Sequence, residues 1–216
     1  MDPAEARGEM HRILDSSLDQ LTEAGRLGVL PAVDQDSWDL PETDRRALWQ
    51  NGLPPPRGDA LMGVVGQFQA GREPELAEGG SRLYLLGTFG TARLAAVEGG
   101  GTVIAVPTFR EVHPQLRSQY PDGIQPVMVN SSVAKLVDLA WRWHWILPLL
   151  ADQQVEARRG EAAAVEVLKA TGTLPDVFAG VRALCREALE RFQSIDPEAI
   201  TDDDSFWGET VLEDLP

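Results

Sequence analysis

The sequence predicts an α+β fold, with a central antiparallel β-sheet flanked by helices and a helical C-terminal half. Three observations carry this expectation. Apolar residues recur at helical spacing over residues 3–24, and short β-branched or apolar runs separated by glycines replace them between Leu61 and Pro107. From Val133 onward the helical spacing returns, in a stretch that carries Trp141, Trp143 and Trp145 of the chain's six tryptophans.

Residues 3–24 place Ala6, Met10, Ile13, Leu14, Leu18 and Leu21 on one stripe. That spacing predicts a single amphipathic opening helix ending near Gly25, with Asp2 and Glu5 at its positive end. Pro41 to Gln50 forms a second, short helix. Pro41 suits its first turn, and Asn51-Gly52 supplies a left-handed stop. Leu53-Pro-Pro-Pro56 then blocks continuation, because proline fixes φ and cannot donate to a helix ladder.

Strands are expected at Met62–Phe68, Arg82–Phe89, Thr91–Val97 and Thr102–Val106, in an antiparallel meander. Glu98-Gly-Gly-Gly101 has the glycines that a tight hairpin needs, and Glu73–Ser81 reads as a loop. Thr108–Gly123, with Pro114 and Pro121, is irregular, and Ile124–Val129 returns as a short strand.

Asn130, Ser131 and Ser132 can accept from the free N–H groups at the start of the tryptophan-rich helix. Val133, Leu136, Val137, Ala140, Trp141 and His144 share one of its faces, while Trp143 and Trp145 fall outside it. The helix must therefore be covered on more than one side. Beyond Pro148, successive helices are expected over Ala151–Leu168 and Pro175–Phe192, joined at Thr171-Gly-Thr173. The tail from Ile195 contains eight acids and no base, yet Phe206, Trp207, Val211 and Leu212 give it an apolar edge, which predicts a docked short helix. With no internal repeat and no long polar linker, residues 1–216 read as one domain, with 1–34 as an N-terminal helical extension and 195–216 as an acidic docked tail.

A chain of 216 residues with 43% hydrophobic content can bury a core of its own. Its 34 acids against 19 bases give a net charge of −15, a field that repels phosphate backbones and anionic lipid. Nucleic acid and membrane are thus poor partners, and a basic protein is a better one. Cys185 is the lone cysteine and shares a stripe with Val181, Leu184 and Ala188, so it is expected as a buried core residue outside any disulfide. The N-terminus has no apolar signal core, and Arg142 and His144 interrupt the longest apolar run, which together predict a cytoplasmic protein.

The residue patterns of common catalysts are missing. His11, His113 and His144 have no HExxH or HxH spacing, so no metal is expected, and no GxSxG elbow occurs. Gly63-Val-Val-Gly66, Gly87-Thr-Phe-Gly90 and Gly99–Gly101 lack the sequence context of nucleotide-binding loops and read as turns. Neither a catalytic set nor a cofactor is expected. Two acidic clusters each sit beside a tryptophan: Asp34, Asp36 and Asp39 around Trp38, and Asp202, Asp203 and Asp204 before Trp207. Charge next to an aromatic anchor makes these the candidate partner-binding residues, although acids so placed also serve as a plain solvated face.

Several segments together carry a resemblance. They are Leu40-Pro-Glu-Thr-Asp-Arg-Arg-Ala-Leu-Trp-Gln-Asn-Gly-Leu-Pro54; Leu85-Leu-Gly87 with Ala95-Ala-Val-Glu-Gly99 and Thr102–Val106; Val129-Asn-Ser-Ser132; and Asp196-Pro-Glu-Ala with Phe206-Trp207. From about residue 35 to the end, the chain resembles the SUKH superfamily, specifically the immunity-protein family numbered fourth within it. The resemblance implies a central antiparallel sheet flanked by helices, no catalytic site, and a cytoplasmic antidote to a secreted or contact-delivered toxin with a nuclease or deaminase domain. Gly52, Gly87, Gly99, Asn130, Ser131, Trp141 and Trp207 are the positions expected to be structural. One departure is the bare Gly99–Gly101 turn, which offers few side chains to a partner. An adaptor outside any toxin system, or an enzyme with an unfamiliar carboxylate site, are the competing readings.

Overall fold

The computed structural model describes residues 2–25, 35–56, 74–77, 80–108, 115, 118 and 122–212. The strand expected over Met62–Phe68 lies outside the described residues, as do Asp34, His113 and most of the irregular Thr108–Gly123 stretch. The fold is α+β as expected, and it divides into two compact units, residues 18–143 and residues 1–17 with 144–216.

The first unit holds the sheet. Strands β1 (Glu75–Leu76), β2 (Arg82–Phe89), β3 (Ala92–Val97), β4 (Val103–Pro107) and β5 (Val127–Asn130) lie in chain order, each antiparallel to its neighbour. β2 keeps the anticipated bounds, and β3 and β4 keep theirs to within a residue. Gly87 sits where the β2–β3 register skips, Leu85 facing Ala95 and Gly87 facing Leu94, so one extra residue is accommodated as a bulge. On one face Leu83, Leu85, Ala95 and Val106 form an apolar cluster. On the other, Tyr84, Leu86, Leu94, Ala96, Val103 and Ala105 are also buried. This sheet is covered on both sides, which explains why β2 reads as a continuous apolar run without alternation.

The β3–β4 turn uses Gly99 at φ +77° and Gly101 at φ +70°, a region costly for any residue with a Cβ. The same unit also holds α2 (Leu18–Gly25), α3 (Glu42–Gln50) and the first part of α4 (Val133–Thr171). Pro41 caps α3, and Gly52 at φ +64° ends it as anticipated. On α4, Val133, Leu136, Val137, Ala140 and Trp141 are buried, and so are Leu139 and Trp143 on other sides. Trp141 donates its indole N–H to the Gly52 carbonyl oxygen at 3.0 Å, giving a buried aromatic its required acceptor.

The second unit is helical: α1 (Pro3–Asp15), the remainder of α4, α5 (Ala179–Ile195) and α6 (Phe206–Leu212). Ala6, Met10, Ile13 and Leu14 of α1 are buried, and Arg7 and His11 reach Glu187 of α5 while Asp15 pairs with Arg191. Val181, Leu184, Cys185, Ala188, Leu189 and Phe192 form the buried stripe of α5. The tail docks as α6 with Phe206, Trp207 and Val211 inside. Gly208 is required there: a Cβ would stand 2.7 Å from the Asp202 carbonyl oxygen and closer still to that of Asp203.

Two helix expectations are corrected. The single opening helix is instead α1 and α2, because Ser16 leaves helical geometry at φ −67°, ψ 148° and turns its hydroxyl onto the Arg12 carbonyl at 2.7 Å. A serine that bonds its own helix backbone competes with the next turn. Conversely, Pro148 does not separate two helices. α4 runs unbroken for 39 residues through it, about 58 Å at 1.5 Å per residue. An internal proline forfeits one ladder bond and costs about 3 kcal/mol. Burial of Ile146, Leu150 and Gln153 on either side outweighs that local penalty.

Candidate functional site

Within the sheet unit, Asp36 lies in a single 3₁₀ turn (Gln35–Ser37) and Asp39 just beyond it, both exposed. Asp36 stands 3.6 Å from Arg45. The backbone of Asp39 is clamped on both sides: its N–H donates to the Tyr84 hydroxyl at 2.9 Å, and its carbonyl accepts the Gly99 N–H at 2.7 Å. Trp38 between them is 3% exposed, stacked on Tyr84 with ring centroids 4.9 Å apart and edge-on to Trp49 at 5.5 Å. Its ring is therefore used inside the fold, where it pins the loop, and the acids alone face solvent. Asp34 lies outside the described residues.

In the helical unit, Asp202, Asp203 and Asp204 are exposed ahead of α6. Asp202 Oδ1 accepts the Asp204 N–H at 3.1 Å, a local turn bond of the kind aspartate favours. Asp203 pairs with Arg186 of α5, and that guanidinium holds its carboxyl below the usual aspartate range. Trp207 is fully buried, edge-on to Phe192 at 5.1 Å and Phe206 at 5.8 Å. As with Trp38, its ring is not available to a partner, because a large aromatic so close to the surface layer is worth more against other rings than in water.

An open cleft of about 810 Å³ lies among α1, α4 and α5. Small residues such as Gly8, Gly160 and Gly180 line it together with Arg7, His11 and Glu156. The polar groups near it already satisfy one another. Glu187 accepts from both Arg7 and His11, and its carboxyl is held below the usual range by the Arg7 hydrogen bond first and His11 after it. A carboxylate so neutralised is a poor general base. Among the described residues no group of three or more His, Cys, Asp or Glu side chains is placed to hold a metal. His144 lies edge-on to Trp145 at 5.3 Å.

Cys185 is 1% exposed, and burial pushes its thiol up to about 12. The thiolate needed for nucleophilic or redox chemistry is therefore scarce at neutral pH. Labelling the native protein with a thiol-specific disulfide reagent is expected to release far less than one equivalent within minutes, and one full equivalent after denaturation. Prompt stoichiometric reaction of the native protein would contradict this placement.

The residue that sequence reasoning passed over is Asp44. On α3 it lies three and four positions before the buried Ala47 and Leu48, on the same stripe, and it is 1% exposed. A carboxylate on an apolar stripe was the available signal. It caps α4 from a distance: its Oδ1 accepts the Ala134 N–H at 2.9 Å, while Ser132 accepts the Lys135 N–H at 3.2 Å as a local cap. Ser131 instead takes the Lys135 ammonium at 2.8 Å, and Asn130 is buried in β5.

The described residues make an α+β protein that carries exposed carboxylates ahead of α3 and ahead of α6. Residues 13–214 match the family model described as SUKH-4 immunity protein, and the chain belongs to that family. The match reaches back into α1, well before residue 35. No curated protein and no solved structure matches the chain. No helix among the described residues is long and apolar enough to cross a membrane.

Proposed function

We propose that this protein is a cytoplasmic, non-enzymatic antidote that neutralises a cognate toxin by stoichiometric binding, its acidic surface meeting a basic active-site cleft. The observation that carries the reading is a −15 chain within an immunity family, with acids held outward on fastened loops. A toxin domain that cuts or deaminates nucleic acid must attract phosphate and so presents positive potential, which a negative protein can occupy at a rate that opposite fields raise. The contact residues proposed are Asp34, Asp36 and Asp39 in the sheet unit and Asp202, Asp203 and Asp204 in the helical unit. Buried Trp38 lies between Asp36 and Asp39 in the chain, and buried Trp207 follows Asp202–Asp204.

The test begins with capture of stoichiometric partners from the native cell and titration of the captured toxin's activity. Complete inhibition at one equivalent is expected. Asp→Asn replacement of each acidic cluster should lower the association rate several-fold at low salt, with the difference from the unaltered protein shrinking as ionic strength shortens the screening length to about 3 Å at 1 M. Unchanged rates and salt dependence for both variants would remove the acidic surface from the mechanism. A captured partner with no toxic activity, left unaffected by binding, would favour an adaptor instead.

A further inference from the structure

Asp44 stands where three elements meet, and its two carboxyl oxygens have unlike surroundings. Oδ1 accepts the Ala134 N–H, and the Val133 N–H and Ser132 hydroxyl are also directed at the carboxyl. Oδ2 is shut away from solvent with no hydrogen-bond partner. Facing it is Gly101, whose Cβ, if present, would overlap Oδ2 and stand 3.2 Å from Pro41 Cδ. Among the described residues no cation pairs with this carboxyl. The β3–β4 turn brings only glycines beside it, Lys135 of α4 donates to Ser131, and on α3 Arg45 and Arg46 reach Asp36 and Glu42.

We propose that Asp44 is a pH-sensitive latch, fastening α3, the β3–β4 turn and the start of α4 when its Oδ2 carries a proton and loosening them when it ionises. A proton on Oδ2 sacrifices no hydrogen bond, since that oxygen accepts none, and Oδ1 keeps the Ala134 N–H either way. Ionisation gains from the positive end of α4, but it leaves charge on an oxygen without a donor in a site closed to water. Burial raises this carboxyl above the ordinary aspartate range, with the Ala134, Val133 and Ser132 donors opposing. The folded protein thus binds the proton more tightly than the unfolded chain. The stability gained is complete below the unfolded value and is lost as pH rises through the folded one.

Asp44→Asn keeps an oxygen acceptor for Ala134 and cannot ionise. It is expected to unfold at a higher temperature than the unaltered protein at pH 7, the gap closing as pH falls toward the ordinary aspartate range. Asp44→Ala, which loses the acceptor, should be less stable at every pH. Superimposable pH profiles for Asp44→Asn and the unaltered protein would overturn the latch. Should Asp44→Asn fail to fold, carboxyl-carbon NMR titration of the unaltered protein decides: a midpoint above the ordinary aspartate value supports the proposal, and one at or below it refutes it.

Discussion

Replacing Trp141 by alanine is expected to lower the free energy of unfolding by about 3–5 kcal/mol, the range for truncating a large core aromatic. The side chain is fully buried, so the whole apolar surface of the indole is returned to a cavity rather than to solvent contact that already existed. A second loss adds to the first, because the Gly52 carbonyl at the end of α3 gives up the indole N–H it accepts at 3.0 Å. Trp141→Phe separates the two, keeping most of the packing and deleting the bond. Equilibrium denaturation should rank the unaltered protein above Trp141→Phe and Trp141→Ala last. If alanine and the unaltered protein share a denaturation midpoint, the packing assigned to α4 is wrong.

Trp207→Ala should be comparably costly, again about 3–5 kcal/mol, with an added local signature. The ring lies edge-on to both Phe192 and Phe206, and such aromatic pairs add about 0.5–1.5 kcal/mol each beyond area burial. Because α6 has only seven residues and no other large anchor than Phe206 and Val211, loss of Trp207 is expected to undock it before the rest of the helical unit melts. Limited proteolysis should then cut between Asp196 and Leu212 at protease levels that leave the unaltered chain intact. Equal cleavage of both proteins in that stretch would show that the tail is held by something other than this ring.

Much of the fold was legible because local chemistry and tertiary packing agreed. In Arg82–Phe89 the β-prone run and the sheet's need for residues buried on both faces point the same way, and Asn51-Gly52 ends α3 where a left-handed residue is required. Legibility failed where packing overrides a local preference. Pro148 is a helix stop by its own chemistry, yet buried neighbours carry α4 through it. Ser16 is the opposite case, a weak local bond sufficient to end a helix whose stripe continues in sequence. Asp44 could not be assigned its role because its partner Ala134 is 90 positions away, and nothing in the spacing of either segment encodes that meeting. The candidate contact acids were legible as charge, but the burial of Trp38 and Trp207 was not. An aromatic beside an acid looks the same in sequence whether its ring faces in or out.

The helical unit is discontinuous in the chain, and this bears on the order in which the protein can assemble during synthesis. Ala6, Met10, Ile13 and Leu14 leave the ribosome long before α5, against which α1 makes its ion pairs and which begins only at Ala179. At translation rates of about 5–20 residues per second, the apolar face of α1 waits roughly ten to thirty seconds for its partner. Residues 18–143 face no such delay, since all of their own unit has been made by the time Trp143 emerges. A nascent chain stalled once Trp143 has emerged would therefore present a formed sheet together with the unmet apolar face of α1, which is the kind of surface that holdase chaperones bind.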